Sequence, residues 1–270
     1  MSTFPTAPIK LPEDVSRVFK DGAVIFHPRR EARHEELPEV PNAEEKSAYL
    51  QRQLVDALTD GAPLVGPAGN RSRSYQAVKR GLDVVGALFF IVLFSPIMLA
   101  TYITLLITTR GKPVFVQERI GYRGLPFRMY KFRTMRLDAE SVQAEVKNEQ
   151  SGPVFKNRRD PRITKIGRWL RSFSIDEMPQ LFNVLAGDMS LVGPRPPVSK
   201  EVAKYERWQL QRLAIKPGLT CLWQISGRCE IGFDDWVRMD IWYLENQSFL
   251  VDLKLLFKTP WSVLSRRGAY

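Results

Sequence analysis

The sequence predicts a mainly α-helical protein with a small β element, in which a re-entrant membrane helix hairpin carries a cytosolic domain edged by amphipathic interfacial helices. Three observations predict it. Residues 84–107 are free of charge, interrupted by Ser95-Pro96, and flanked by basic residues on both sides. Farther along, apolar residues recur at helical spacing, as in Ile163, Ile166, Leu170 and Phe173. All six tryptophans, at 169, 208, 223, 236, 242 and 261, lie in the strongly basic part of the chain.

The chain divides into three segments. Residues 1–70 hold 8 basic and 11 acidic residues and both histidines, His27 and His34, whereas residues 71–270 hold 32 basic and 18 acidic ones. The first 41 residues carry six prolines among charges and no sustained apolar period, which predicts an extended, partly disordered segment with no signal sequence. Asn42 as cap, Glu44 and Glu45 in the first turn and the stripe Leu50, Leu54, Leu58 predict a helix over residues 42–60. A Gly/Pro-rich linker follows at 61–69.

The second segment, residues 71–110, is the membrane element. Its 24 uncharged residues reach about 36 Å as a helix, against a hydrocarbon core of about 30 Å. Pro96 removes the donor that would bond the carbonyl of Val92, and a proline-kinked spanning helix is one reading. The flanks favour the other: Arg71, Arg73, Lys79 and Arg80 precede the run, and Arg110, Lys112, Arg119 and Arg123 follow it. By the positive-inside rule both ends are cytoplasmic, so the segment turns back within one leaflet at Ser95 and Pro96.

Residues 111–270 form the cytosolic, membrane-associated domain. Short strands are expected at 113–116 and 127–132 around a glycine turn, helices at 163–173, from Ser174 to a stop at Gly187, and over 199–214 and 249–264. Trp, Lys and Arg on such helices suit the headgroup region, where rings and cations both find partners, and they suit a solvated core domain equally.

With no histidine beyond residue 34 and only Cys221 and Cys229, Ser-His-Asp chemistry, Cys-His chemistry and a zinc cage are excluded from the basic part. Carboxylates, lysines and hydroxyls remain. Ser174-x-x-Glu177 reads as a capping box, and the same helix start would offer free N–H groups to a phosphate with Asp176 as an anionic nucleophile. Around it stand Lys131, Arg133, Arg171 and Arg195, the last held between prolines. With Asp160 and Asp188 they suggest a site where phosphates and a divalent cation meet, oxygen-only ligation favouring Mg2+ or Mn2+.

Eight stretches in order carry a resemblance: Lys79-Arg80-x-x-Asp83, Phe94-Ser95-Pro96, Gln117-x-Arg119-x-Gly121, Lys131-Phe-Arg-Thr-Met135, Asp160-Pro-Arg162, Leu170-Arg171-x-x-Ser174-x-Asp176-Glu177-x-Pro179-Gln180, Gly187-Asp-Met-Ser-Leu-Val-Gly-Pro-Arg-Pro196 and Pro217-Gly-Leu-Thr220. Over roughly residues 75–270 the chain resembles the bacterial sugar transferases, the monotopic phosphoglycosyl transferases. The resemblance implies transfer of a sugar-1-phosphate from a UDP-sugar to a polyprenyl phosphate on the cytoplasmic face of the inner membrane, with Mg2+ and release of UMP. It implies Asp176 as nucleophile and metal ligand, Glu177 as metal support or proton handler, and Lys131, Arg171 and Arg195 on substrate phosphates. Two features depart from the family pattern: Cys221 stands where glycine is common, and residues 1–70 have no counterpart in the smallest members. A homo-oligomer is left open, and no nucleic-acid partner is expected. The competing readings are a UDP-releasing glycosyltransferase and a non-catalytic basic membrane adaptor.

Overall fold

The structure, a computed structural model, describes residues 9–10, 23–24, 73–143, 146–149, 152–155, 157, 159–225 and 232–264. The helix expected over 42–60 and the linker at 61–69 lie outside the described residues. From the N-terminal segment come β1 (Ile9–Lys10) and β2 (Ala23–Val24), an antiparallel pair. The fold is mainly helical with small sheets and one long apolar helix.

That helix, α1 (Arg73–Thr108), runs through Pro96 without a break. The structure shows the coarser feature, one long apolar helix, and does not show the expected break, for a local reason. Proline at 96 leaves the Val92 carbonyl without its backbone donor, and the Ser95 hydroxyl supplies one at 2.8 Å. The carbonyl is satisfied and the helix continues.

Ser74–Thr108 has a mean hydropathy of 2.4 in its most apolar window and is the one described helix long and apolar enough to cross a membrane. Its buried residues are Asp83, Ala87, Met98, Thr101 and Leu105, continued by Thr109 beyond its end, with Ile91 and Phe94 packed between. Steps of three and four residues put all of them on one stripe. The opposite side exposes Val78, Val85, Phe89, Val92, Ile103 and Ile107.

The remaining elements form one body along that stripe. Strands β3 (Val114–Ile120) and β4 (Pro126–Phe132) make an antiparallel hairpin in the register Val114 opposite Phe132. Arg123 takes φ 56 and Gly124 φ 76 in its turn. Helix α2 (Lys165–Ser172) starts at Thr164, whose hydroxyl accepts from the Gly167 amide at 2.9 Å. Helix α3 (Gln180–Ala186) stops at Gly187, φ 93, as expected of a left-handed C-terminal glycine. Strand β5 (Ser190–Val192) pairs in parallel with β6 (Gly218–Thr220).

The single helix expected over 199–214 is two pieces: α4 (Ser199–Val202) and a 3-10 helix, Arg207–Ala214. Glu206 separates them with extended backbone, and its amide is taken by the Gln209 side chain at 2.9 Å. A second cap starts a second element. The chain closes with α5 (Leu222–Ile225), α6 (Phe233–Asn246) and α7 (Phe249–Leu264).

Two apolar clusters explain the stacking. The larger gathers Ala87 of α1 with Leu181, Val184, Leu191, Trp236, Val237, Tyr243 and Leu255. The smaller joins Met98 and Leu105 of α1 to Phe132, Leu170 and Ile175. The long helix is thus part of the core at both ends.

Candidate active site

The hairpin delivers the first cation. Met129 and Phe132, on opposite faces of β4, are both buried, and Lys131 is partly exposed, with its Nζ 2.8 Å from Oε1 of Glu177. Arg133 goes elsewhere: it donates to the carbonyls of Lys112 at 2.8 Å and Val114 at 3.5 Å and lies 5.5 Å from the Phe115 ring. Those bonds hold it at the start of the hairpin, so the structure does not bring it to the carboxylates.

Thr134 links the hairpin to α2. Its carbonyl accepts from the Thr164 amide at 3.0 Å, and its hydroxyl accepts from Arg171 Nε at 2.9 Å. Helix and strand approach so closely that a Cβ on Gly167 would sit 2.0 Å from the Thr134 carbonyl oxygen. Burial lowers the basicity of the Arg171 guanidinium, and Asp176, Asp160 and Glu177 work against that loss.

The expected capping box at Ser174 is not formed. Ser174 has φ 55, its amide bonds the Arg171 carbonyl at 3.0 Å, and its side chain makes no cap bond. It is the left-handed residue that ends α2, whereas an N-cap needs extended backbone. Ile175 drops into the smaller apolar cluster, and Ile175–Glu177 form one 3-10 turn before α3 begins behind Pro179. Asp176 therefore sits on a turn between two helices, not at a helix N-terminus.

In that turn Asp176 is 7% exposed. Burial, then the charge of Glu177, raises its carboxyl to about 6, while Lys131 and Arg171 pull the other way. At neutral pH it remains an anion, poorly hydrated and held among cations.

Asp160 and Asp188 do not join it. Asp160 is buried and forked by Arg162, with Nη2 at 2.7 Å and Nε at 2.9 Å. Asp188 meets the Asn183 amide at 3.3 Å. Among the described residues there is no group of three His, Cys, Asp or Glu that would hold a metal by protein alone.

Arg195 lies in the loop that follows β5. It is half-buried between buried prolines, 5.6 Å from the Trp236 ring, and within electrostatic reach of Arg119, which also feels Glu177. Burial and the repulsion of Arg195 bring Arg119 down to about 10. The arrangement is a buried carboxylate flanked by a second carboxylate and by two cations from different elements, Lys131 of β4 and Arg171 of α2, the composition of a site for phosphate-bearing substrates.

Residues 74–266 match the family model described as bacterial sugar transferase. The chain belongs to this family. A galactosyl transferase, CpsE, of Streptococcus agalactiae is 46% identical over 200 residues, covering 73% of this chain and 44% of that protein. An undecaprenyl-phosphate galactose phosphotransferase of Salmonella typhimurium is 42% identical over 205 residues, covering 73% and 43%. The exopolysaccharide production protein ExoY of Rhizobium meliloti is 38% identical over 198 residues, covering 71% of this chain and 88% of that protein. The chain thus spans less than half the length of the first two and most of the third.

Other polar residues of this bacterial sugar transferase had no role assigned from sequence. Asn183, fully buried, donates to the Arg128 carbonyl at 2.7 Å and accepts from the Tyr130 amide at 3.0 Å, fixing α3 to β4. A lone asparagine in the apolar run Gln180-Leu-Phe-Asn-Val-Leu-Ala186 was the available signal. Lys79, Arg80 and Asp83 dock α1. Lys79 meets Asp252 at 2.6 Å and Tyr243 at 3.2 Å. Arg80 caps α3 through the carbonyls of Val184 and Leu185 at 2.6 and 2.7 Å. Asp83 accepts from the Ser190 hydroxyl and the Leu191 amide, each at 2.9 Å.

Proposed function

We propose that this chain is a polyprenyl-phosphate phosphoglycosyl transferase that moves a sugar-1-phosphate from a UDP-sugar to undecaprenyl phosphate, the first membrane step of a glycan such as an exopolysaccharide. The observation that carries the reading is Asp176, an anion buried beside Glu177 and faced by Lys131 and Arg171, in a body built directly onto an apolar helix. Relatives named as undecaprenyl-phosphate galactose and N-acetylgalactosamine phosphotransferases support it.

In this reading a carboxylate oxygen of Asp176 attacks the sugar-bearing phosphorus of the donor. The new P–O bond forms as the bond to the bridging oxygen breaks, and UMP leaves with that oxygen. An oxygen of the lipid phosphate then attacks the same phosphorus, giving the lipid diphosphosugar and freeing the Asp176 carboxylate. Lys131, Arg171 and Arg195 neutralise phosphate oxygens through both steps. Desolvation of Asp176 strengthens it as a nucleophile. Glu177 holds Lys131 in place, and its second oxygen supports the attacking group.

Two adjacent carboxylates fit Mg2+ only in its usual manner with phosphate substrates, where substrate oxygens and water complete the coordination. Asp176, with Glu177 beside it, would hold the ion, which would supply charge neutralisation at the diphosphate.

We place the protein on the cytoplasmic face of the bacterial inner membrane. The buried stripe of α1 holds the helix against the same body from Asp83 to Thr109, which supports both helix ends lying on one side, as in a re-entrant or shallow arrangement. The exposed row Phe249, Leu250, Leu253, Phe257 and Trp261 on α7, with Lys254 beside it, suits the headgroup region.

The test is nucleotide release by nanodisc-embedded protein given a panel of UDP-sugars, Mg2+ and undecaprenyl phosphate, with UMP and UDP resolved. UMP with one donor is expected and names the sugar. UDP would replace the reading with direct glycosyl transfer, and neither nucleotide would favour a non-catalytic membrane adaptor.

A further inference from the structure

Arg195 lies in a loop whose backbone is tied residue by residue. Pro194, Pro196 and Pro197 have no N–H to give, yet all four carbonyls from 194 to 197 accept. Pro194 accepts from the Gly218 amide at 2.8 Å, Arg195 from Arg212 Nη2 at 3.1 Å, Pro196 from Arg119 Nη1 at 3.0 Å and Pro197 from the Ile120 amide at 2.9 Å. Two of the donors are buried guanidiniums from distant parts of the chain. Such a loop cannot swing to meet a ligand, so the direction of the Arg195 side chain is set before binding.

The side chain is set as well. Its guanidinium lies 5.6 Å from the centre of the Trp236 ring, and Trp236 is itself buried against Trp223 at 4.3 Å and Phe233 at 6.0 Å. Arg212 also lies near that ring, at 5.2 Å, but its charge is matched by Asp240 at 2.6 Å. Among the described residues Arg195 has no carboxylate partner and its guanidinium donates no hydrogen bond. A cation resting on an aromatic face keeps its N–H edges free for a planar anion.

We infer that Trp236 is a positioning residue: it is the platform that presents Arg195 to a phosphate of the nucleotide donor, on a loop locked by Arg212 and Arg119. The inference rests on the function proposed above, and its test separates the two. UDP binding by titration calorimetry, and KM and kcat for the accepted UDP-sugar, would be measured for wild type, Trp236→Leu, Trp236→Phe, Arg195→Ala and the Trp236→Leu/Arg195→Ala double variant. Trp236→Leu is expected to weaken UDP and raise KM about tenfold with a smaller change in kcat, and Trp236→Phe to recover most of it. In the Arg195→Ala background Trp236→Leu should cost nothing further, which a merely structural role would not produce.

Equal losses in both backgrounds, or an unchanged KM, would overturn the platform. Should Trp236→Leu fail to fold, Trp236→Phe carries the same cycle with a smaller expected loss. A wild type that releases no UMP removes the proposed reaction, while the UDP binding cycle still decides the platform. No UDP binding at all would overturn both.

Discussion

At the scale of single residues, the proposed chemistry turns on where Asp176 keeps its charge. Because burial and Glu177 raise its carboxyl to about 6, ionised Asp176 is less favourable in the folded than in the unfolded chain, and the anion present at neutral pH costs stability. Asp176→Asn should therefore lower kcat by at least about a thousandfold, while the melting temperature does not fall and the protein still partitions with membranes. Retained turnover would remove Asp176 as the nucleophile. The same argument fixes a pH profile. On the proposed mechanism the free enzyme needs the anion, so kcat/KM should decline as pH drops through about 6 rather than near the usual aspartate range. Glu177→Gln removes one cause of the upward shift and frees Lys131 to face Asp176. Its acid limb should move to lower pH, and an unmoved limb would show that Glu177 does not act on Asp176 electrostatically.

At the scale of elements, the closest approach in the site is that of α2 to Thr134. Gly167→Ala would drive a Cβ into the Thr134 carbonyl, costing about 1–3 kcal/mol and loosening Arg171 from its Thr134 anchor. Both a lower melting temperature and a raised KM are expected; a thermal shift alone would mean the anchor is dispensable. Asp83→Ala leaves the Leu191 amide and the Ser190 hydroxyl buried without their acceptor, and should cost about 1–3 kcal/mol in chemical denaturation. Much of this architecture was legible in the sequence. Helical spacing located α2, the apolar run located α1, and the glycine turn located the hairpin. The differences have two physical origins: short-range side-chain bonds at Ser95, Gln209 and Arg162, and tertiary packing that overrides the local pattern at Ser174. Ser174-x-x-Glu177 has the spelling of a cap, but Ile175 is pulled into the core under Leu105 and Phe132, and Ser174 becomes an ending. Asp160 looked like a metal ligand until Arg162, two residues on, took both its oxygens. The parallel pairing of β5 with β6, and α6, rest on long-range packing that no short pattern announces.

At the scale of the whole molecule, the proposed topology of α1 follows from what it packs on. In that reading a helix touching one body near both ends keeps those ends on one side. Single cysteines at Ser74 and Lys112, with Cys229 replaced by serine and Cys221 buried, should both resist impermeant maleimide added outside intact cells and react after lysis. Labelling of one site from outside would mean a crossing helix. The docking of α1 through Lys79, Arg80 and Asp83 also bears on how the protein can be handled. A soluble variant beginning after residue 110 would resemble an enzyme freed of its anchor, yet it would lack a wall of its own interior. Val184, Leu191, Phe132 and Ile175 would face water where Ala87, Met98 and Leu105 had been, and β5, which runs straight into the Arg195 loop, would lose the carboxylate that fixes it. For this chain the membrane element is a folding partner, and minimal versions of the enzyme have to be sought by trimming before residue 73.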